Sequence, residues 1–300
     1  MSEPQHLRVI GARSIFQFFL PPGGSLFRSC DFLLVEPRKA RESLRNLPDN
    51  DGLTIVVNPD DYPIDALASL RGVVWLWFLR PIHRERSPHS SVAPRLTRSS
   101  EESSMTRKSF LDSLEAKPSV SIVVSDAESF EYCNRRGIRV RLSPPPVTDG
   151  VADLASSSEA TISVWTPEKS TEYVRKFVEA LPPEVLATEL PRVVDPALIK
   201  VPTHWVVPQE DFMRAFPYEA AMALVAGQTL ISEALVPRWG LEPGLDYIEY
   251  STPEELFRIV EHIARYPHST QLMSSRGKSK SRTFVASHVY VQLLSEPRGS

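Results

Sequence analysis

Residues 211–267 read DFMRAFPYEAAMALVAGQTLISEALVPRWGLEPGLDYIEYSTPEELFRIVEHIARYP. An apolar helical stretch, Pro217–Ala226, runs into a short apolar run, Thr229–Ser232, which predicts a helix feeding a strand. A further strand is expected over Asp246–Tyr250. The helix after it carries a complete start signal: Thr252 as cap, Pro253 at the first helical position and Glu255 completing a capping box. Leu256, Ile259, Val260 and Ile263 then form one apolar stripe. Upstream, Thr161–Trp165 and His204–Val207 read as strands and Ser170–Leu181 as an amphipathic helix. A final helix is expected over Thr283–Leu294.

The amino-terminal half keeps the same rhythm. Leu7–Gly11, Asp31–Val35, Leu53–Asn58, Val73–Leu79, Val120–Ser125 and Arg139–Leu142 are short runs of Val, Ile, Leu and Phe with little polar alternation. Strands buried on both faces of a parallel sheet have this composition. Helix-compatible segments alternate with them at Arg38–Asn46, Pro63–Ser69, Lys108–Glu115 and Ala127–Arg136, and Gly137 stands where a helix-ending glycine belongs. Trp75 and Trp77 fall on one face of an apolar strand and read as core. The segment from Pro81 to Ser109, rich in Ser and Arg, reads as a surface loop or as a basic flap over a cleft. The best boundary is SPPPVTDG at 143–150, where three prolines favour an extended connector. The expectation is an α/β protein of two Rossmann-like domains, residues 1–150 and 151–300, facing across a cleft.

The chain has 300 residues, 42% hydrophobic and 24% charged, enough to bury a core and unlike a disordered or fibrous sequence. A net charge of −3 gives no basic field for nucleic acid. Cys30 and Cys133 are too few for a disulfide framework or a thiolate zinc site, and the seven histidines show no ligand spacing, so no metal is expected. The opening MSEPQHLRVIGAR lacks a basic region followed by a long apolar stretch, and Val73–Leu79 is the longest apolar run. A cytoplasmic protein without signal peptide or membrane span is therefore expected. GxGxxG, GxxxxGK[ST], GxSxG and HExxH are all absent, which excludes the simplest dinucleotide, phosphate-loop, serine-hydrolase and metalloprotease readings.

The pattern of an aromatic residue, a helix of the type EAxAxG, an apolar strand, an acidic-aromatic strand and a PEEL helix resembles the carboxy-terminal half of GT-B glycosyltransferases. Group 1 and spore-maturation-type enzymes are similar. Met222–Gly227, Gln228–Ser232, Tyr247–Tyr250 and Pro253–Leu256 occupy the successive landmarks. Thr166-Pro-Glu-Lys169 resembles the family's turn after the first donor-domain strand, and Pro21-Pro-Gly-Gly24 its glycine-rich loop.

The resemblance implies a nucleotide-diphosphate sugar as donor and substrate, held by the carboxy-terminal domain, an acceptor held mainly by the other, and no cofactor. It points to Lys169, Arg214, Phe216, Tyr218 and Glu219 as donor-binding residues. The turn before Pro217 would offer helix amides to the diphosphate. Gly23 and Gly24 become the loop on the acceptor side. The glutamate pair of the family, spaced E-x7-E, falls on Arg214 and Met222, while Glu219 lies one turn earlier. Glu219 reads equally as a ribose-binding carboxylate moved by a turn and as a solvated first-turn acid. Two functions stay open: a sugar transferase, and a degenerate scaffold that serves an active transferase as partner. The basic cluster Arg276, Lys278, Lys280 and Arg282 reads as a solvated helix start, with a phosphate or peripheral membrane contact as the alternative.

Overall fold

A computed structural model describes residues 6–21, 26–82, 111, 120–153, 162–166, 185–189, 204–207, 216–266 and 268–295. The chain divides into two compact units, Met1–Ser143 with Leu293–Ser300, and Pro144–Gln292. The division falls at the amino end of the proline run, and the last residues return to the first unit.

The first unit is built on six parallel strands: β1 (His6–Gly11), β2 (Ser29–Leu34), β3 (Leu53–Val57), β4 (Val73–Phe78), β5 (Val120–Val124) and β6 (Val140–Leu142). Their spatial order is β2-β1-β3-β4-β5-β6. Register puts Leu33, Ile10, Val56, Leu76, Ile122 and Val140 in one row across the sheet. That face packs on α1 (Ala40–Arg45), α2 (Ile64–Leu67) and α3 (Ala127–Arg135) through Ala40, Leu44, Ala66, Leu67 and Cys133. The opposite face carries Val9, Ile55, Trp75 and Trp77, all buried. Phe19, from the 3-10 helix Ser14–Phe19, meets the Trp77 ring edge-on at 5.3 Å. Burial on both faces explains why these strands lack polar alternation. Gly137 has φ +72° and ends α3, with the Ile138 amide donating to the Cys133 carbonyl.

The second unit has five parallel strands: β7 (Ile162–Thr166), β8 (Val185–Glu189), β9 (His204–Val207), β10 (Thr229–Ser232) and β11 (Ile248–Glu249). Their order is β11-β10-β9-β7-β8. Taken in chain order within each unit, both sheets follow the pattern 2-1-3-4-5, with the first sheet adding a sixth strand. Among the described residues its α-helices are α4 (Tyr218–Val225), α5 (Pro253–Arg265), α6 (Gln271–Lys280) and α7 (Ala286–Ser295). Seven of the eight α4 residues are buried, Glu219 being the exception, as befits a helix apolar on almost every side. On the other face Leu256, Val260 and Ile263 of α5 pack with Ile162, Ile231 and Tyr250.

The expected α5 start is present: Glu255 N–H donates to Thr252 Oγ1 at 3.2 Å, and Ser251 N–H donates to Glu255 Oε2 at 2.8 Å. Several expectations need correction. The strand read over Asp246–Tyr250 is only two residues long, because Tyr247 and Asp246 belong to the preceding turn. The last helix begins at Ala286, after a 3-10 turn at Ser281–Phe284. The basic cluster does not open a helix: Arg276, Lys278 and Lys280 end α6, a helix the sequence reading omitted, as it omitted β8. The reading of Ser170–Leu181 and most of the Pro81–Ser109 and Lys108–Glu115 readings lie outside the described residues.

Candidate functional site

In a doubly wound parallel sheet, ligands bind beyond the carboxyl ends of the strands, where the strand order reverses. In the second sheet that reversal lies between β7 and β9, and α4 is the helix that follows β9. Pro217 has extended angles (φ −62°, ψ 138°), so it caps α4 and is not its first helical residue. Its carbonyl accepts from Ala220 N–H at 3.0 Å and Ala221 N–H at 3.4 Å. A proline at this place brings its fixed φ to the helix entry and no side-chain cap.

Two of the three described donor candidates are packed inward. Phe216 is 1% exposed and stacks on Phe284 at 4.8 Å. Tyr218 is buried too, and desolvation, then Tyr290 and Glu219, raise its phenol well above the ordinary range. Glu219, in the first turn, keeps partial solvent contact. Met222, which stands where the resemblance places a ribose-binding glutamate, is only 4% exposed. Lys169, Arg214, Gly23 and Gly24 lie outside the described residues.

The loop from β10 to β11 adds groups that sequence reading did not single out. Arg238 pairs with Glu249 at 3.3 Å, and Tyr247 donates its phenol proton to Glu249 Oε2 at 2.5 Å. Burial and the Glu249 carboxylate push that phenol above its usual range. Trp239 holds a positive φ of 51°, an uncommon conformation for a bulky residue. The carboxylate of Asp246 is fully buried and accepts from Lys280 Nζ at 2.6 Å, the Glu242 amide at 2.8 Å and Arg276 Nε at 3.3 Å. Burial opposes its charge, but these three donors outweigh it and hold the carboxyl below the ordinary range. Lys278 donates to the Ala152 carbonyl at 2.9 Å. Thus three of the four basic residues act inside the fold.

In the first sheet, whose strand order reverses between β1 and β3, the carboxyl ends gather a second polar rim. Asn58, left-handed at φ 48°, follows β3 and accepts from Leu79 N–H through Oδ1 at 3.0 Å. Arg80, after β4, pairs with Asp61 at 3.0 Å and Asp60 at 3.5 Å. Asp126, after β5, caps α3 by accepting from Ser129 N–H at 2.7 Å. No signal beyond their places after strands would have found them. Among the described residues no group of three or more His, Cys, Asp or Glu is arranged to hold a metal, and no helix is long and apolar enough to cross a membrane.

No family model and no curated protein matches the sequence. Solved structures do match the fold. The sucrose-phosphate synthase of Thermosynechococcus elongatus aligns over 96% of this chain and 97% of its own, at 13% identity and a TM-score of 0.55. Anabaena HepE, in complex with UDP-glucose, aligns over 96% of this chain and 98% of its own, at 10% identity and a TM-score of 0.59. TarM aligns over 81% of this chain and 54% of its own, at 7% identity and a TM-score of 0.52. At such identity the likeness is one of architecture, and these proteins are GT-B glycosyltransferases. With two parallel, doubly wound units in succession along its length, the chain has the GT-B fold of two Rossmann-like domains.

Proposed function

We propose that this protein is a glycosyltransferase that moves a sugar from a nucleoside-diphosphate donor to an acceptor hydroxyl, with retention at the anomeric carbon and without a metal. The observation that carries this reading is the likeness to the UDP-glucose complex of HepE, which spans nearly all of both chains. Negative charge grows on the leaving diphosphate as the glycosidic bond breaks, and oriented amides and cations lower that barrier most. In this reading the first-turn amides of α4, with Arg214 and Lys169, meet the diphosphate. Phe216 and Tyr218 act from beneath: their packing fixes the angle at which α4 begins. Glu219 accepts hydrogen bonds from donor hydroxyls, one turn before the buried Met222. Gly23 and Gly24 lie on the acceptor side.

Titration calorimetry with UDP, GDP and dTDP tests the donor site. At least one should bind measurably, and Arg214→Ala should weaken it about tenfold, as loss of one charge-assisted contact implies. Failure of all three to bind removes the reading.

Met222 favours a second reading, a scaffold that has lost catalysis and serves an active transferase. Nucleotide binding without any donor turnover, together with co-purification of another transferase, would select it.

A further inference from the structure

We propose that the surface made by β11, α5 and the start of α6 binds a second copy of this chain through a twofold, antiparallel pairing of α5. A shallow depression of about 430 Å³ lies there, floored by Ile248, Ile259, Ile263 and Met273 and edged by Arg258 and His262. Two large apolar side chains stand out from the same elements. Tyr266 is 60% exposed, with its ring 5.1 Å from that of His262, and Leu272, next to Met273, is 75% exposed. One such residue alone on a surface is ordinary, but two beside an apolar hollow form a patch. A twofold axis through the middle of α5 would bring this same patch of both copies together, as an isologous interface requires.

Charge selects the occupant. Helical spacing places Glu254, Arg258, Glu261 and Arg265 along one flank of α5. An antiparallel pair centred on Ile259 and Val260 sets Glu254 of one copy against Arg265 of the other and Arg258 against Glu261. A uniformly acidic or basic partner, or a charged membrane surface, would oppose like charge at one end. Thr270, which also lines the hollow, bonds Thr229 at the first residue of β10 at 3.1 Å. The inference is independent of the transferase reading.

Sedimentation equilibrium of the full chain should give a mass near twice 33.7 kDa. Tyr266→Ala and Leu272→Ser should each raise the dimer dissociation constant about tenfold or more, with circular dichroism unchanged. Glu254→Arg and Arg265→Glu should each weaken the dimer, and the double variant should restore it, because the swapped charges again meet as opposites. A monomer at every concentration overturns the proposal, whether or not it retains some other protein. So does a dimer that the Tyr266 and Leu272 variants leave unmoved, or a double charge variant no tighter than the singles.

Discussion

Gly277 lies inside α6, where alanine would ordinarily be favoured by about 1 kcal/mol. A Cβ there would sit 2.6 Å from the backbone carbonyl oxygen of Asp246 and 3.0 Å from Leu224. Overpacking of that kind costs about 1–3 kcal/mol and should win. Gly277→Ala is therefore expected to lower the urea midpoint, and a rise would show that the two segments are not in such close contact. Asp246 makes a complementary case. Its folded carboxyl titrates below the unfolded one, so its contribution is present above the ordinary carboxylate range and lost as pH falls through the depressed value. Asp246→Asn should cost about 2–3 kcal/mol at neutral pH, since breaking a buried charged cluster strands its partners. The deficit should shrink toward the acid limit, and a gap independent of pH would contradict the assignment. Neither residue announces itself in the chain: a glycine among serines and an aspartate in a turn gain their importance from groups 30 or more positions away.

At the scale of elements, α5 is the most legible piece of the molecule because its signals are local. Cap, first-position proline and returning glutamate lie within four residues, and the apolar stripe follows at once. Thr252→Ala should cost about 1 kcal/mol, the usual worth of a hydroxyl cap, read from chemical denaturation. No loss would mean that the Glu255 contact alone secures the start. The neighbouring α6 is the opposite case. Gln271–Lys280 is polar, contains three serines and a glycine, and has no apolar face. What holds it is the clasp of Arg276 and Lys280 on Asp246 and the close approach at Gly277, both tertiary. For the same reason the basic cluster resembled a solvated patch. The α4 segment lies between these extremes. Its apolar character predicts a buried helix, yet whether Phe216 and Tyr218 point to a ligand or to the core depends on Phe284 and Tyr290, which arrive from far along the chain.

For the whole molecule, two parallel sheets of the same winding make carboxyl-end rims the place for chemistry, and ligand linkage offers a global readout. A nucleoside diphosphate that binds only the folded chain should stabilise it by about 2.7 kcal/mol at a hundredfold excess over its dissociation constant. Thermal unfolding with UDP, GDP and dTDP checks this, and no shift with any of them at saturating concentration counts against the donor site.

By itself the sequence determined the alternation of buried strands and helices and the capped helix, because each is encoded by residues within a turn or two of one another. Strand order, the inward packing of Phe216, Tyr218 and Met222, and the clasp on Asp246 were decided only by tertiary structure. These depend on contacts between segments far apart in the chain, whose partners no local pattern of hydrophobicity or turn chemistry can name.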